Sequence, residues 1–99
     1  MRKYRVTING RNYLINVEGK PQRMGFYKIC YLEAHDPQEA ENLAVSKIVA
    51  DPRWRGKILN SADDRPVMYL DSLDELESFE GVESLETGYI FYPDEAAGR

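Results

Sequence analysis

Ninety-nine residues leave room for one domain and no second hydrophobic core. At 42% hydrophobic, 11% aromatic and 30% charged, the chain can bury a core and cover it. A net charge of −4 disfavours a long polyanion as partner, and no apolar run approaches a membrane span.

Met1-Arg2-Lys3 is basic, but polar and apolar residues then alternate, so the continuous apolar run of a signal peptide is missing. The single cysteine, Cys30, excludes an intrachain disulfide and fits a reducing, cytoplasmic setting. Its mid-strand position reads as a small buried hydrophobe.

Tyr4, Val6 and Ile8 alternate with Arg5 and Thr7, which is a strand pattern. Asn9-Gly10 follows, and that dipeptide suits the two positive-φ positions of a type I′ hairpin turn. A hairpin over residues 4–17 is therefore expected, with Tyr4, Val6, Ile8, Tyr13, Ile15 and Val17 on one face. Glu18 to Met24 reads as a polar loop. Phe26 to Leu32 (FYKICYL) is aromatic and β-branched on both faces, as a central strand would be, with Lys28 set between Phe26 and Cys30. The first three strands would form an antiparallel meander.

Asp36-Pro37-Gln38-Glu39 is a strong helix start. Asp36 can cap the free N–H groups, Pro37 fits the first helical position, and Glu39 can complete a capping box. The helix should end near Ala50, before Asp51-Pro52. Ala40, Leu43, Ala44 and Ile48 form its apolar stripe. Val45 and Val49 lie off the stripe, to be covered by residues 58–92 or by a second copy of the chain.

Asp51 to Lys57 is turn-rich, Ile58-Leu59 is an apolar anchor, and Asn60 to Pro66 is a loop. Val67 to Leu70 begins a fourth strand. Residues 72–80 fit either a short helix or a continued edge strand, with the strand preferred. Tyr89 to Tyr92 closes the sheet. The expectation is a two-layer α+β domain over residues 1–93, ordered β-β-β-α-β-β with one main helix on one sheet face. Residues 94–99 would form a flexible tail.

Gly25-Phe26-Tyr27, Asp36 to Ala40, Asp51-Pro52, Asp63 to Val67 and Phe91-Tyr92-Pro93 together resemble a family of small uncharacterised bacterial α+β proteins. The resemblance covers nearly the whole chain. It implies a fold and a bacterial cytoplasmic setting, and it implies no activity.

Charge is the most informative functional signal. Residues 1–28 hold seven basic residues and one acid, whereas residues 66–99 hold nine acids and one base, Arg99. With the meander topology, Arg2, Lys3, Lys20, Arg23, Arg53, Arg55 and Lys57 should meet at one pole beside the helix C-terminus. Trp54, between two arginines, has hot-spot composition. The alternative is that these bases balance the acidic half and that Trp54 lids the core. Asp71, Asp74, Glu75, Glu77, Glu80, Glu83 and Glu86 would keep an edge strand soluble or offer an acidic docking face.

No nucleophile motif, phosphate loop or metal-ligand spacing is present. Asp63-Asp64 alone does not make a calcium loop. His35 stands beside Asp36, which is engaged as a cap, so no catalytic residue, metal ligand or cofactor is assigned. The sequence points to a non-enzymatic domain binding another protein through a charged face. A homodimer is compatible with this. Nucleic acid at the basic pole and a small-ligand or enzymatic site lined by Tyr27, Tyr31 and His35 are the alternatives.

Overall fold

The computed structural model describes residues 1–85 and 87–95. The elements in chain order are β1 (Arg2–Val17), β2 (Lys20–Ala34), α1 (Pro37–Val49), a 3₁₀ turn (Pro52–Trp54), β3 (Val67–Leu76) and β4 (Tyr89–Pro93). The strands form one antiparallel sheet, ordered β3-β1-β2-β4. The helix packs on one face, so the chain is an α+β domain as its pattern predicts.

The strand count differs from the expected five. β1 does not fold back at Asn9-Gly10: it runs on to Val17, antiparallel to β2 over its whole length. Between Gly10 and Tyr13 the register slips, so that Arg11 and Asn12 oppose the single residue Gly25. This is a β-bulge. Asn12 takes φ 61°, which asparagine tolerates better than most residues. The tight turn lies at Glu18-Gly19, whose φ values of 52° and 85° suit a type I′ hairpin. Residues 20–24, expected as loop, therefore belong to β2.

Gly10 is needed for space. A Cβ there would fall 2.1 Å from the Phe26 ring, which lies across the glycine. On the other face a Cβ on Gly25 would fall 2.3 Å from the Tyr92 ring. Phe26 is fully buried and meets the rings of Tyr13, Trp54 and Tyr89 at 4.9, 5.5 and 5.1 Å. It is the centre of the core.

The helix start matches its sequence signals. The Asp36 carboxylate accepts from the Glu39 N–H at 2.8 Å, and the Glu39 carboxylate reaches back to the His35 N–H at 2.9 Å. Ala40, Ala44 and Ile48 are buried with Tyr4, Val6, Ile8, Cys30, Leu32 and Ala34. Leu43 does not join the stripe and stays exposed; Val45 packs partly against the core, while Val49 is open to solvent.

β3 continues to Leu76, so residues 72–76 extend the edge strand and do not form a helix. Asp94, placed in the tail by composition, is buried: its carboxylate accepts from Arg11 Nη2 at 2.7 Å and from the Asn12 N–H at 2.9 Å. It thereby pins the bulge. Of the expected tail, residues 96–99 lie outside the described residues.

Candidate binding site where the helix ends

The helix is too short for the sheet. Thirteen helical residues rise only about 20 Å, whereas sixteen strand residues would span roughly 50 Å if straight. The molecule's long axis is 43 Å. The helix starts next to the Ala34 end of β2 and runs back over Tyr4 to Ile8 before it stops. The hairpin end of the same sheet face is left to the segment that follows.

That segment is tied into a knot. Asp51 accepts from the Arg53 N–H at 2.9 Å and from the Arg53 guanidinium at 2.8–3.1 Å. The Tyr89 hydroxyl donates to the same carboxylate at 2.7 Å and accepts from Trp54 Nε1–H at 3.1 Å. The Arg53 guanidinium also lies 5.0 Å from the Tyr89 ring centroid. Hydrogen bonds from Arg53 hold the Asp51 carboxyl well below the usual carboxylate range, with Tyr89 adding to the effect. Burial, reinforced by the anionic acceptor, pushes the Tyr89 phenol up.

The knot fixes Trp54, which stacks on Tyr13 at 5.2 Å and meets Tyr89 and Phe91 edge-on at 5.1 and 6.0 Å. Trp54 is partly buried and lids the core, one of the two roles expected for it. One flank of the lid remains open. A cleft of about 600 Å³ is lined by Ile15, Trp54, Tyr89 and Phe91, with Arg53 and Lys57 at its rim. Phe91 is 44% exposed, and Ile58 and Leu59 are also exposed nearby in the chain. Ile58 bridges Ile15, and the Leu59 N–H donates to the Leu14 carbonyl at 2.8 Å, so both are held against the hairpin.

The expected single basic pole does not form. It depended on a turn at Asn9-Gly10. With β1 continuous, Arg2 pairs in register with Ala34 and Lys3 with Glu33, at the far end of the sheet from Lys20, which pairs with Val17. Arg2 faces Glu75 at 3.9 Å and Lys3 faces Glu33 at 3.7 Å. Arg23 is held by Asp64 at 2.7 Å and by Asn12 at 2.6 Å. Hydrogen bonds from Asn12 first and then from Arg23 keep the Asp64 carboxyl below its ordinary range. Arg53 is bound to Asp51. Among the eight candidate binding residues, Arg53, Trp54, Arg55 and Lys57 stay together by chain proximity, and Lys20 joins their end of the sheet. Lys20, Arg55 and Lys57 make no ion pair among the described residues.

Topology sets part of the basic segment against part of the acidic one: Asp74, Glu75 and Asp94 pair with Arg5, Arg2 and Arg11. β1 carries the basic segment and β3 the acidic one, and they are neighbours. Arg5 bonds Asp74 at 3.0 Å beside the Arg2–Glu75 pair. Tyr27 and Tyr31 do not build a joint site with His35. Tyr27 packs on Tyr92 at 5.4 Å, Tyr31 on Phe79 at 6.3 Å, and His35 is an exposed helix-start residue. Tyr89, Phe91 and Ile15 were not singled out by sequence reasoning as site residues. Tyr89-Ile90-Phe91-Tyr92 reads as an ordinary core strand, and only the sheet order reveals that its Tyr89 and Phe91 face the uncovered end.

No family model matches the chain, and no curated protein or solved structure matches it. Among the described residues no helix is long and apolar enough to cross a membrane.

Proposed function

We propose that this is a non-enzymatic binding domain that engages another protein at the hairpin end of the sheet. An apolar side chain of the partner would enter the cleft beside Trp54, and acidic groups around it would face Lys20, Arg55 and Lys57. The observation that carries this reading is the coincidence, at one end of the sheet, of the aromatic cleft with bases that have no acid partner among the described residues. A half-covered Trp with adjacent exposed Phe resembles the centre of an interface, and unpaired bases resemble its rim.

Arg53 is one of the residues expected at the basic pole. Because Arg53 ties the knot together, reversing it would disturb the fold as well. Lys57→Glu, Arg55→Glu and Phe91→Ser are cleaner. A partner captured from source-cell lysate near physiological salt should bind at defined stoichiometry and lose affinity at least tenfold in Lys57→Glu and Phe91→Ser, while both variants retain wild-type circular dichroism. Undiminished capture by both variants would exclude this end of the molecule as the interface.

A further inference from the structure

On the other side of the knot lies a second cleft, of about 630 Å³, between the helix C-terminus, β2 and the chain entering β4. Its most unusual member is Lys28. This lysine belongs to the helix-facing side of β2, between Phe26 and Cys30, and is only 7% exposed. Its ammonium donates to the Thr87 carbonyl and, at 2.9 Å, to the Thr87 hydroxyl, and it lies 5.2 Å from the Tyr89 ring centroid. Each of these partners is neutral. No carboxylate pairs with Lys28 among the described residues. A buried charge without a counter-charge is costly, and the cost falls when an anion approaches.

The surroundings add positive charge. Lys47, in the last turn of α1, lines the same cleft and makes no ion pair among the described residues. Asp51 also lines it, but its carboxylate is occupied by Arg53 and by the Tyr89 hydroxyl. The helix C-terminus contributes a partial negative charge of about half a unit. That is less than the two ammonium groups supply together. The cleft is open to solvent at one side; the Thr87 hydroxyl accepts from Lys28 and donates to the Ile29 carbonyl, so it fixes Lys28 in place.

We propose that this cleft binds a small ligand through an oxyanion, a phosphate ester or a carboxylate, held between the Lys28 and Lys47 ammonium groups. Lys28 supplies a desolvated charge of fixed position, and Lys47 closes on the ligand from the helix. The site shares Arg53 and Tyr89 with the cleft beyond Trp54, but Lys28 and Lys47 line this cleft alone and Lys57 and Phe91 the other, so variants at those four residues separate the two readings.

The test is an NMR titration of the intact chain with inorganic phosphate, glycerol phosphate and citrate, each against chloride at matched ionic strength. Saturable shifts are expected at the amides of Lys47, Thr87, Gly88 and Tyr89. Glycerol phosphate outcompeting citrate would assign the ligand as a phosphate ester, and the reverse order would assign a carboxylate. Lys47→Gln, an exposed change that leaves the fold intact, should weaken binding at least threefold. Lys28→Met should abolish it, and Lys28→Arg should retain part of it. Arg65→Gln, exposed in the loop before β3, should change nothing. Absence of saturable shifts with all three anions overturns the proposal. So does binding that is unchanged in Lys47→Gln, whether or not Lys28→Met folds.

Discussion

The two halves of the helix-facing sheet surface share β1 and β2, with β4 added at the hairpin half, and end up with opposite characters. Next to α1, Tyr4, Val6, Ile8 and Ala34 have essentially no exposed surface. Toward the hairpin, Ile15 is half-buried and Phe91 is substantially exposed. The difference does not come from hydrophobicity, since both halves are apolar. It comes from rise per residue: a helix advances about 1.5 Å and a strand about 3.3 Å, so a helix of similar residue count covers less than half the strand. The uncovered half then depends on a three-residue turn and one tryptophan. An open aromatic cleft is left there because no further element among the described residues closes it.

Substitutions at the junction of the two halves should have the largest effects. Phe26→Ala should cost about 3–5 kcal/mol by emptying the point where the closed core meets the aromatic lid. Denaturant unfolding would show it as a lower midpoint, and a variant as stable as wild type would mean that the two halves pack independently. Gly10→Ala should cost about 3 kcal/mol, because its Cβ would meet the Phe26 ring. In a double-mutant cycle with Phe26→Ala most of that penalty should vanish. An additive cycle would mean that Gly10 is required for its backbone conformation instead.

The knot can be addressed by pH. The Asp51 carboxyl is held below its ordinary value of about 3.9 by Arg53 and Tyr89. A depressed folded-state value means that its stabilising contribution is complete above the ordinary value and is lost as pH falls below it. Asp51→Asn should therefore lower stability at pH 7 by about 1–2 kcal/mol, as loss of a capping carboxylate does, and should flatten the stability profile below pH 4. Equal acid sensitivity in the variant and the parent would show that the knot does not depend on the ionised form. At the alkaline end, burial raises the Tyr13 phenol to about 12. Its contribution is complete below the ordinary value near 10 and fades as pH rises through the raised one, so Tyr13→Phe should resist unfolding better between pH 10 and 12.

The smallest effects test each half alone. In the closed half, the Tyr4 hydroxyl is buried with no hydrogen-bond partner among the described residues. Tyr4→Phe should be neutral or stabilising by up to about 1 kcal/mol, because removing an unsatisfied hydroxyl removes its desolvation cost. In the open half, Lys57→Glu should change thermal stability by less than about 0.5 kcal/mol. A large loss there would assign Lys57 to folding and not to partner contact.

The misplaced turn shows how far the pattern could be read. Tyr4, Val6, Ile8, Tyr13 and Ile15 do share a face, as their spacing predicts. That spacing shifts parity by one residue between Ile8 and Tyr13. A two-residue hairpin produces such a shift by folding the chain back, and a one-residue bulge produces it by adding a residue to a continuing strand. Asn9-Gly10 favoured the hairpin on propensity. What decides for the bulge lies far away in sequence: Phe26 needs the space over Gly10, and Asp94 holds Arg11 and Asn12 in the bulged shape.

The helix limits, the closing strand and the α+β class follow from local chemistry: a cap, a proline, alternating apolar residues. These are short-range preferences, and a linear pattern carries them. The site is different in kind. Whether basic Arg5 meets acidic Asp74, whether Lys28 is buried against Thr87, and whether Trp54 lids or protrudes all depend on which strands become neighbours. Strand order is set by long-range pairing and by the one bulge that lets β1 run the full length of the molecule. Tertiary structure alone therefore decided where charges pair and where, among the described residues, they do not.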